Sequence, residues 1–98
     1  MYHLEHLLAL LTTEKAGELQ FRAGSPPMLV SENERHPLQG PPISNEDLMK
    51  LLRSLATSRQ MRNLREFGVV QFVHALPDRS PFLVHATIEN EKIAFDIS

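Results

Sequence analysis

Leu4, Leu7, Leu8 and Leu11 recur at the i, i+3, i+4, i+7 spacing of a helix face, which predicts an amphipathic helix over residues 2–15, ended near Gly17. From Leu19 to Ala23 apolar and polar residues alternate as on a half-buried strand, and Gly24-Ser25-Pro26-Pro27 then breaks the pattern. Those prolines have no N–H to give to a central ladder, so they mark a turn. Met28, Leu29 and Val30 form a hairpin-like return, Ser31 to Glu34 a turn tip, and Pro37 to Pro42 a stiff connector inside one domain. Ser44 is a good N-cap, and Asn45, Glu46 and Asp47 put polar or acidic groups at the positive end of a helix dipole. Leu48, Leu51, Leu52 and Leu55 stripe that second helix; Met61, Leu64 and Phe67 predict a short third one after a break near Thr57-Ser58, closed by Gly68. Residues 69–76, 82–89 and 92–97 are rich in Val, Phe, Ile and Thr and read as a three-stranded antiparallel run.

Register decides which face of that run is buried, because a slip of one residue exchanges the two faces. If Leu76 opposes Phe82 across a tight Asp78-Arg79-Ser80 loop, one face collects Val70, Phe72, His74, Leu76, Phe82, Val84, Ala86 and Ile88. That face is apolar apart from His74 and is the better core. The opposite face then holds Val69, Gln71, Val73, Ala75, Leu83, His85, Thr87 and Glu89, a mixed surface with an apolar centre. Val69, Val73, Ala75, Leu83 and His85 are the residues expected to meet a partner there.

Length allows one domain: 98 residues bury somewhat over roughly 60% of their unfolded surface. With 42% apolar residues, 22% charged and a net charge of −2, the chain is globular in composition, and its overall charge selects no partner. The absence of cysteine excludes disulfides, thiolate metal sites and a cysteine nucleophile, and it fits a reducing compartment. Leu7 to Leu11 is a short apolar stretch preceded by Glu5 and histidines, with no small-residue cleavage site, so it reads neither as a signal peptide nor as a membrane span. A cytoplasmic location without membrane insertion is the expectation.

Local charge is less even. The run from Leu48 to Arg65 contains Lys50, Arg53, Arg59, Arg62 and Arg65 and no acidic residue. Arg59, Arg62 and Arg65 recur every third residue along one expected helix, an arrangement suited to carboxylates or phosphates; a solvated helix face is the ordinary alternative. No aromatic residue is interleaved for base stacking, which argues against nucleic acid. His3 and His6 have a metal-compatible spacing without a matching third ligand, and no serine sits in a Gly-x-Ser-x-Gly elbow. His74 is expected to replace a core aromatic. The carboxylates Glu46 with Asp47, and Glu89 with Glu91, fall at a helix start and a strand turn, where solvated charge suffices.

The string Arg22-Ala23-Gly24-Ser25-Pro26-Pro27-Met28, followed by Pro41-Pro42-Ile43-Ser44 before a leucine-rich helix and by Phe72 and Leu76, resembles the N-terminal, PAS-like domain of type IV pilus retraction ATPases and their secretion relatives. The likeness runs over nearly the whole chain. It implies an α+β fold, a PAS-like antiparallel sheet with helices packed on one face, in a single domain spanning residues 1–98. In that family a RecA-like motor follows, whereas this sequence reaches Ser98 with no Gly-x-x-x-x-Gly-Lys-Ser/Thr, so an accessory domain without its motor is expected.

Several family positions differ. Glu18-Leu19-Gln20 stands where members have Asp-Leu-His or Asp-Ile-His, Pro81-Phe82-Leu83-Val84-His85 where they have Arg-Phe-Arg-Val-Asn, and Ile88 near a further arginine. The family arginines reach toward nucleotide phosphates, a role for a planar, permanently charged guanidinium that leucine and isoleucine lack. The resemblance therefore implies a non-catalytic protein-interaction or regulatory module with no catalytic, cofactor or metal residues. Its partner would be a pilus or secretion ATPase, or a second copy in a homodimer. The alternatives are a small-ligand-sensing PAS-like module, for which the core-facing positions offer only His74 as an orienting polar group, and a fragment of a longer pilus ATPase.

Overall fold

The computed structural model describes residues 3–13, 17–32, 34–76 and 79–98. Their elements run α1 (Leu4–Thr13), β1 (Glu18–Arg22), β2 (Met28–Ser31), β3 (Glu34–Pro37), α2 (Asn45–Leu55), α3 (Ser58–Phe67), β4 (Val69–Leu76), β5 (Arg79–Glu89) and β6 (Lys92–Ile97). This is an α+β fold with one six-stranded antiparallel sheet ordered β3-β2-β1-β6-β5-β4. Residues 2 and 14–15 of the expected first helix, the Asn33 tip and Asp78 of the expected loop lie outside the described residues.

One face of the sheet is the core. Leu29, Leu19, Phe21, Phe95, Ile97, Val84, Ala86 and Phe72 are buried and share it by register, since Leu19 opposes Ile97, Ile97 opposes Val84, and Val84 opposes Phe72. Onto it pack Leu7, Leu8 and Leu11 of α1, Leu48, Leu52 and Leu55 of α2, and Met61 and Leu64 of α3. These are the stripes that helical spacing predicts, except that Phe67, the last residue of α3, is 71% exposed and lies off the core. Phe21 and Phe95 stack at the centre with ring centroids 4.4 Å apart.

The caps explain why the helices begin and end where they do. Ser44 Oγ accepts the Asp47 N–H at 3.1 Å, and Thr57 and Gln60 form a reciprocal capping box at the start of α3. Gly68 ends α3 at φ 77°, the left-handed conformation that glycine adopts without a Cβ penalty. Gly24, at φ 84°, turns the chain out of β1 for the same reason. Beyond it the Gly-Ser-Pro-Pro corner is tied down by backbone: Gly24 N–H donates to Ile43 C=O at 2.8 Å, and Ile43 N–H to Ser25 C=O at 3.1 Å. Pro27 is fully buried, so the most specific string of the chain is a structural corner.

Two expectations are corrected. The stretch containing Glu34 and Pro37, read as the end of a turn and the start of a connector, is strand β3, paired with β2 from Ser31↔Glu34 to Met28↔Pro37. All its residues are exposed, so its sequence has no alternation to betray it and only backbone pairing defines it. The β4–β5 pairing is also offset from the expected one. His74, not Leu76, opposes Phe82, and Leu76 pairs with Arg79. Between those pairs Ala75 faces both Ser80 and Pro81, a β-bulge in which a proline has no ladder N–H to lose. The offset is an even number of residues, so every assignment of Val69 to Ala75 and Phe82 to Glu89 to a face survives.

Asn45 has a role that its position at a helix start does not reveal. Its Nδ2 donates to Glu91 C=O at 2.9 Å, and its Oδ1 accepts the Ile93 N–H at 2.8 Å. One side-chain amide thus supplies both hydrogen bonds that a neighbouring strand would give β6 beyond the end of β1, and it pins α2 to the β5–β6 turn. Asn45→Ala leaves a part-buried N–H unpaired and is expected to cost about 1–3 kcal/mol in thermal or urea melts. A change within a few tenths of a kcal/mol would mean that water replaces the amide without loss.

Candidate functional site

The outer face of the sheet is divided. On the β3-β2-β1-β6 side the polar groups satisfy one another: Arg35 Nη2 donates to Gln20 Oε1 at 2.5 Å, Gln20 Nε2 donates to Glu18 Oε2 at 3.1 Å, and Arg22 grips Asp96 through two contacts of 2.8 and 3.4 Å. On the β5-β4 side the surface is mixed, with an apolar patch where Leu83 opposes Val73, set apart from Val69 by the exposed pair Gln71 and His85. Val69, Val73 and Leu83 are 44, 61 and 38% exposed, with exposed Ala75 beside them. Leu83 opposes Val73 directly, and its backbone exchanges two 2.9 Å hydrogen bonds with Ser98, so its side chain stands on a fixed strand. His85 lies between the two regions, opposite Gln71 on one side and Asp96 on the other. All five residues expected to meet a partner on the sheet therefore share one exposed face.

Leu83 and Ile88 do not share a face. Leu83 points outward with Pro81, whereas Ile88 opposes Ile93 and packs against the core. Further along β5 the positions on Leu83's side of the sheet are His85, Thr87 and Glu89, and none is an arginine or a lysine.

The basic run is also divided by the fold. Arg53, at the end of α2, joins Ser58, Met61, Arg62 and Arg65 of α3 around a hollow of about 370 Å³ with Ala56. The spacing 58, 61, 62, 65 is one helix stripe, which explains why Arg62 and Arg65 share this hollow while Arg59 does not line it. Lys50 stands apart too, with Glu46 at 3.9 Å in an exposed i,i+4 pair worth little. Arg53, Arg59, Arg62 and Arg65 are exposed and make no ion pair with any described residue.

The histidines come together only in part. His3 and His6 lie edge to face with ring centroids 5.6 Å apart, both exposed. Among the described residues no group of three or more His, Asp or Glu side chains could hold a metal ion. His74 is half-buried on the core side and His85 exposed on the other, so they do not form a pair. Among the described residues no helix is long and apolar enough to cross a membrane.

Comparison with known proteins agrees with the resemblance read from the Arg22–Met28 string. Over 87 residues, 89% of this chain, the sequence is 25% identical to the type IV pilus retraction ATPase PilT of Pseudomonas aeruginosa. The chain resembles the N-terminal part of pilus retraction ATPases. It spans 25% of the length of that relative. The crystal structure of the pilus retraction motor PilT with bound ADP superposes on 99% of this chain with a TM-score of 0.87 at 19% identity, the match covering 29% of that chain. The ATPase DotB of Legionella pneumophila matches 96% of this chain with a TM-score of 0.74 at 17% identity, over 27% of its own chain. No family model matches the sequence. At these identities the structural matches show a shared fold over about a quarter to a third of those chains, and the sites described above belong to this chain's own residues.

Proposed function

We propose that this chain is a non-catalytic, cytoplasmic interaction domain of the pilus retraction ATPase kind, which uses the β4–β5 half of its outer sheet face to dock onto a RecA-like motor or a second copy of itself. The observation that supports this reading is the division of the outer face. The β1–β6 half is occupied by its own Arg22–Asp96 and Arg35–Gln20–Glu18 contacts, and the β4–β5 half offers Val69, Val73, Ala75 and Leu83 to a partner. Exposed apolar side chains clustered as Val73, Ala75 and Leu83 are mark interaction sites. The same reading holds for a domain joined to a motor in one polypeptide and for one that meets it in trans. Sedimentation of the chain alone and mixed with a purified pilus retraction motor tests it. A faster-moving species in either case supports docking, and two independent boundaries with a monomeric chain at high concentration overturn it.

Nucleotide chemistry has no footing in these residues. The sequence contains no phosphate loop, and from Pro81 onward the outer-face positions of β5 are Pro81, Leu83, His85, Thr87 and Glu89, with no arginine among these described residues. Calorimetric titration of the chain with magnesium ATP is expected to give no binding isotherm. A micromolar dissociation constant would show that the domain holds nucleotide by groups other than these.

A further inference from the structure

We propose a second docking site, independent of the sheet face, in which Arg53, Arg62 and Arg65 receive an acidic protein segment bearing an apolar anchor residue. The site lies on the helical side of the molecule. Its floor is Ala56 with the mostly buried Met61, its wall includes Ser58, and three guanidiniums rim it with no carboxylate among the lining residues. A hollow of about 500 Å³ at the β5–β6 end of the sheet shows the contrast, because there Arg22 and Lys92 are accompanied by Glu89.

Charge placement is what singles the site out. The chain carries a net charge of −2, yet three arginines without an ion pair to any described residue converge on one concavity. Arg53 and Arg65 each lie in the last turn of a helix, where a cation gains about 0.3–1 kcal/mol from the dipole, but that explains neither Arg62 nor the convergence. Guanidinium forks match carboxylates, and an apolar floor between them suits a side chain such as leucine.

A small phosphate ligand fits less well. Guanidiniums pair with phosphate as with carboxylate, but a site for a small free phosphate gains most from backbone N–H groups at a glycine-rich turn or a free helix N-terminus, and it has no use for an apolar floor. Here the start of α3 is closed by its own capping box, with Gln60 N–H donating to Thr57 Oγ1 at 3.1 Å. The hollow offers flexible charged arms and an apolar floor, the makings of a protein contact.

The test uses the full chain and a fluorescent helical peptide in which a leucine is flanked by glutamates, read by anisotropy. Arg62→Glu with Arg65→Glu is expected to weaken binding about tenfold or more, and Arg62→Gln with Arg65→Gln by a smaller factor. Lys50→Glu with Arg59→Glu makes the same change in net charge away from the hollow and is expected to shift affinity less than about twofold. Raising the salt from about 0.1 M to about 1 M shortens the screening length from roughly 10 to 3 Å and should weaken the wild-type complex. A peptide with serine in place of leucine should bind several-fold more weakly. Equal losses in the two charge-reversed proteins would reduce the site to general charge attraction and overturn the proposal. So would equal binding of the serine peptide, or displacement of the peptide by millimolar inorganic phosphate, which would assign the arginines to a small anion. Circular dichroism of each variant ensures that an unfolded protein is not read as a lost site.

Discussion

Phe82→Ala is expected to destabilise the domain by about 3–5 kcal/mol in urea melts, and Leu83→Ala by less than about 1 kcal/mol. The two residues are adjacent on β5 and similar in hydrophobicity, so the contrast isolates the face of the sheet. Phe82 is 6% exposed on the core side, opposite His74, whereas Leu83 is 38% exposed on the outer side, opposite Val73. Truncating Phe82 removes buried ring surface and leaves a cavity that fixed strands fill only partly. Since domains of this size are stable by roughly 5–15 kcal/mol, the loss is a large share of the total. The melts should be made at dilute concentration, so that any association through Leu83 does not enter. Equal losses for both variants would show that the assigned face is wrong.

Leu83→Asp is expected to abolish association through the sheet while leaving the fold intact. An aspartate at this position is solvated in the free chain, because the side chain points outward, but in a docked complex it would be stripped of water with no cation opposite it. Its cross-strand neighbours are Val73 and Ser98, and a buried unpaired carboxylate costs several kcal/mol, enough to lower affinity by a hundredfold or more. Light scattering of the chain alone and capture of a pilus retraction motor give the readouts, with far-UV circular dichroism as the control for folding. Wild-type behaviour in both assays removes this face as the working surface. The arginine hollow would then stand as the remaining candidate, since it lies on the helical side.

Much of this architecture was legible in the chain because the strong signals are local. Leucines at helical spacing, Ser44 and Thr57 ahead of their helices and Gly68 behind one specify start, face and end within a few residues. The buried face of β4 and β5 was legible for a different reason: alternation fixes parity, and the pairing beyond the bulge, His74 with Phe82, differs from the expected one by two residues, which leaves each face unchanged. What remained hidden depends on contacts between distant residues. Strand β3 consists of Glu34, Arg35, His36 and Pro37, polar and exposed, and exists by pairing with β2. Asn45 reads as one more polar residue at a helix start until the β5–β6 turn is brought to it. The spatial grouping of the basic run was not legible either. Arg53 joins Arg62 and Arg65 only because α2 and α3 meet at an angle that spacing along one helix does not encode, while Arg59 and Lys50 fall away from the hollow.

The strand order has a consequence for how the domain assembles. Strands β1, β2 and β3 lie on one side of the sheet and β4, β5 and β6 on the other, so the two groups meet only where β1 pairs with β6. That seam joins residues as far apart as Arg22 and Asp96, separated by 74 positions, and the stacked Phe21 and Phe95 sit in the same seam. Closing so long a loop costs about 4 kcal/mol in chain entropy beyond a constant, recovered only once the strands are side by side. Each flanking hairpin can form early from near neighbours, but neither has a two-sided core until the other arrives. Pairing of β6 with β1 is therefore expected to form later than the local β1–β2 and β4–β5 pairings, and a mutation in the β1–β6 seam should slow folding more than one in either flanking pair.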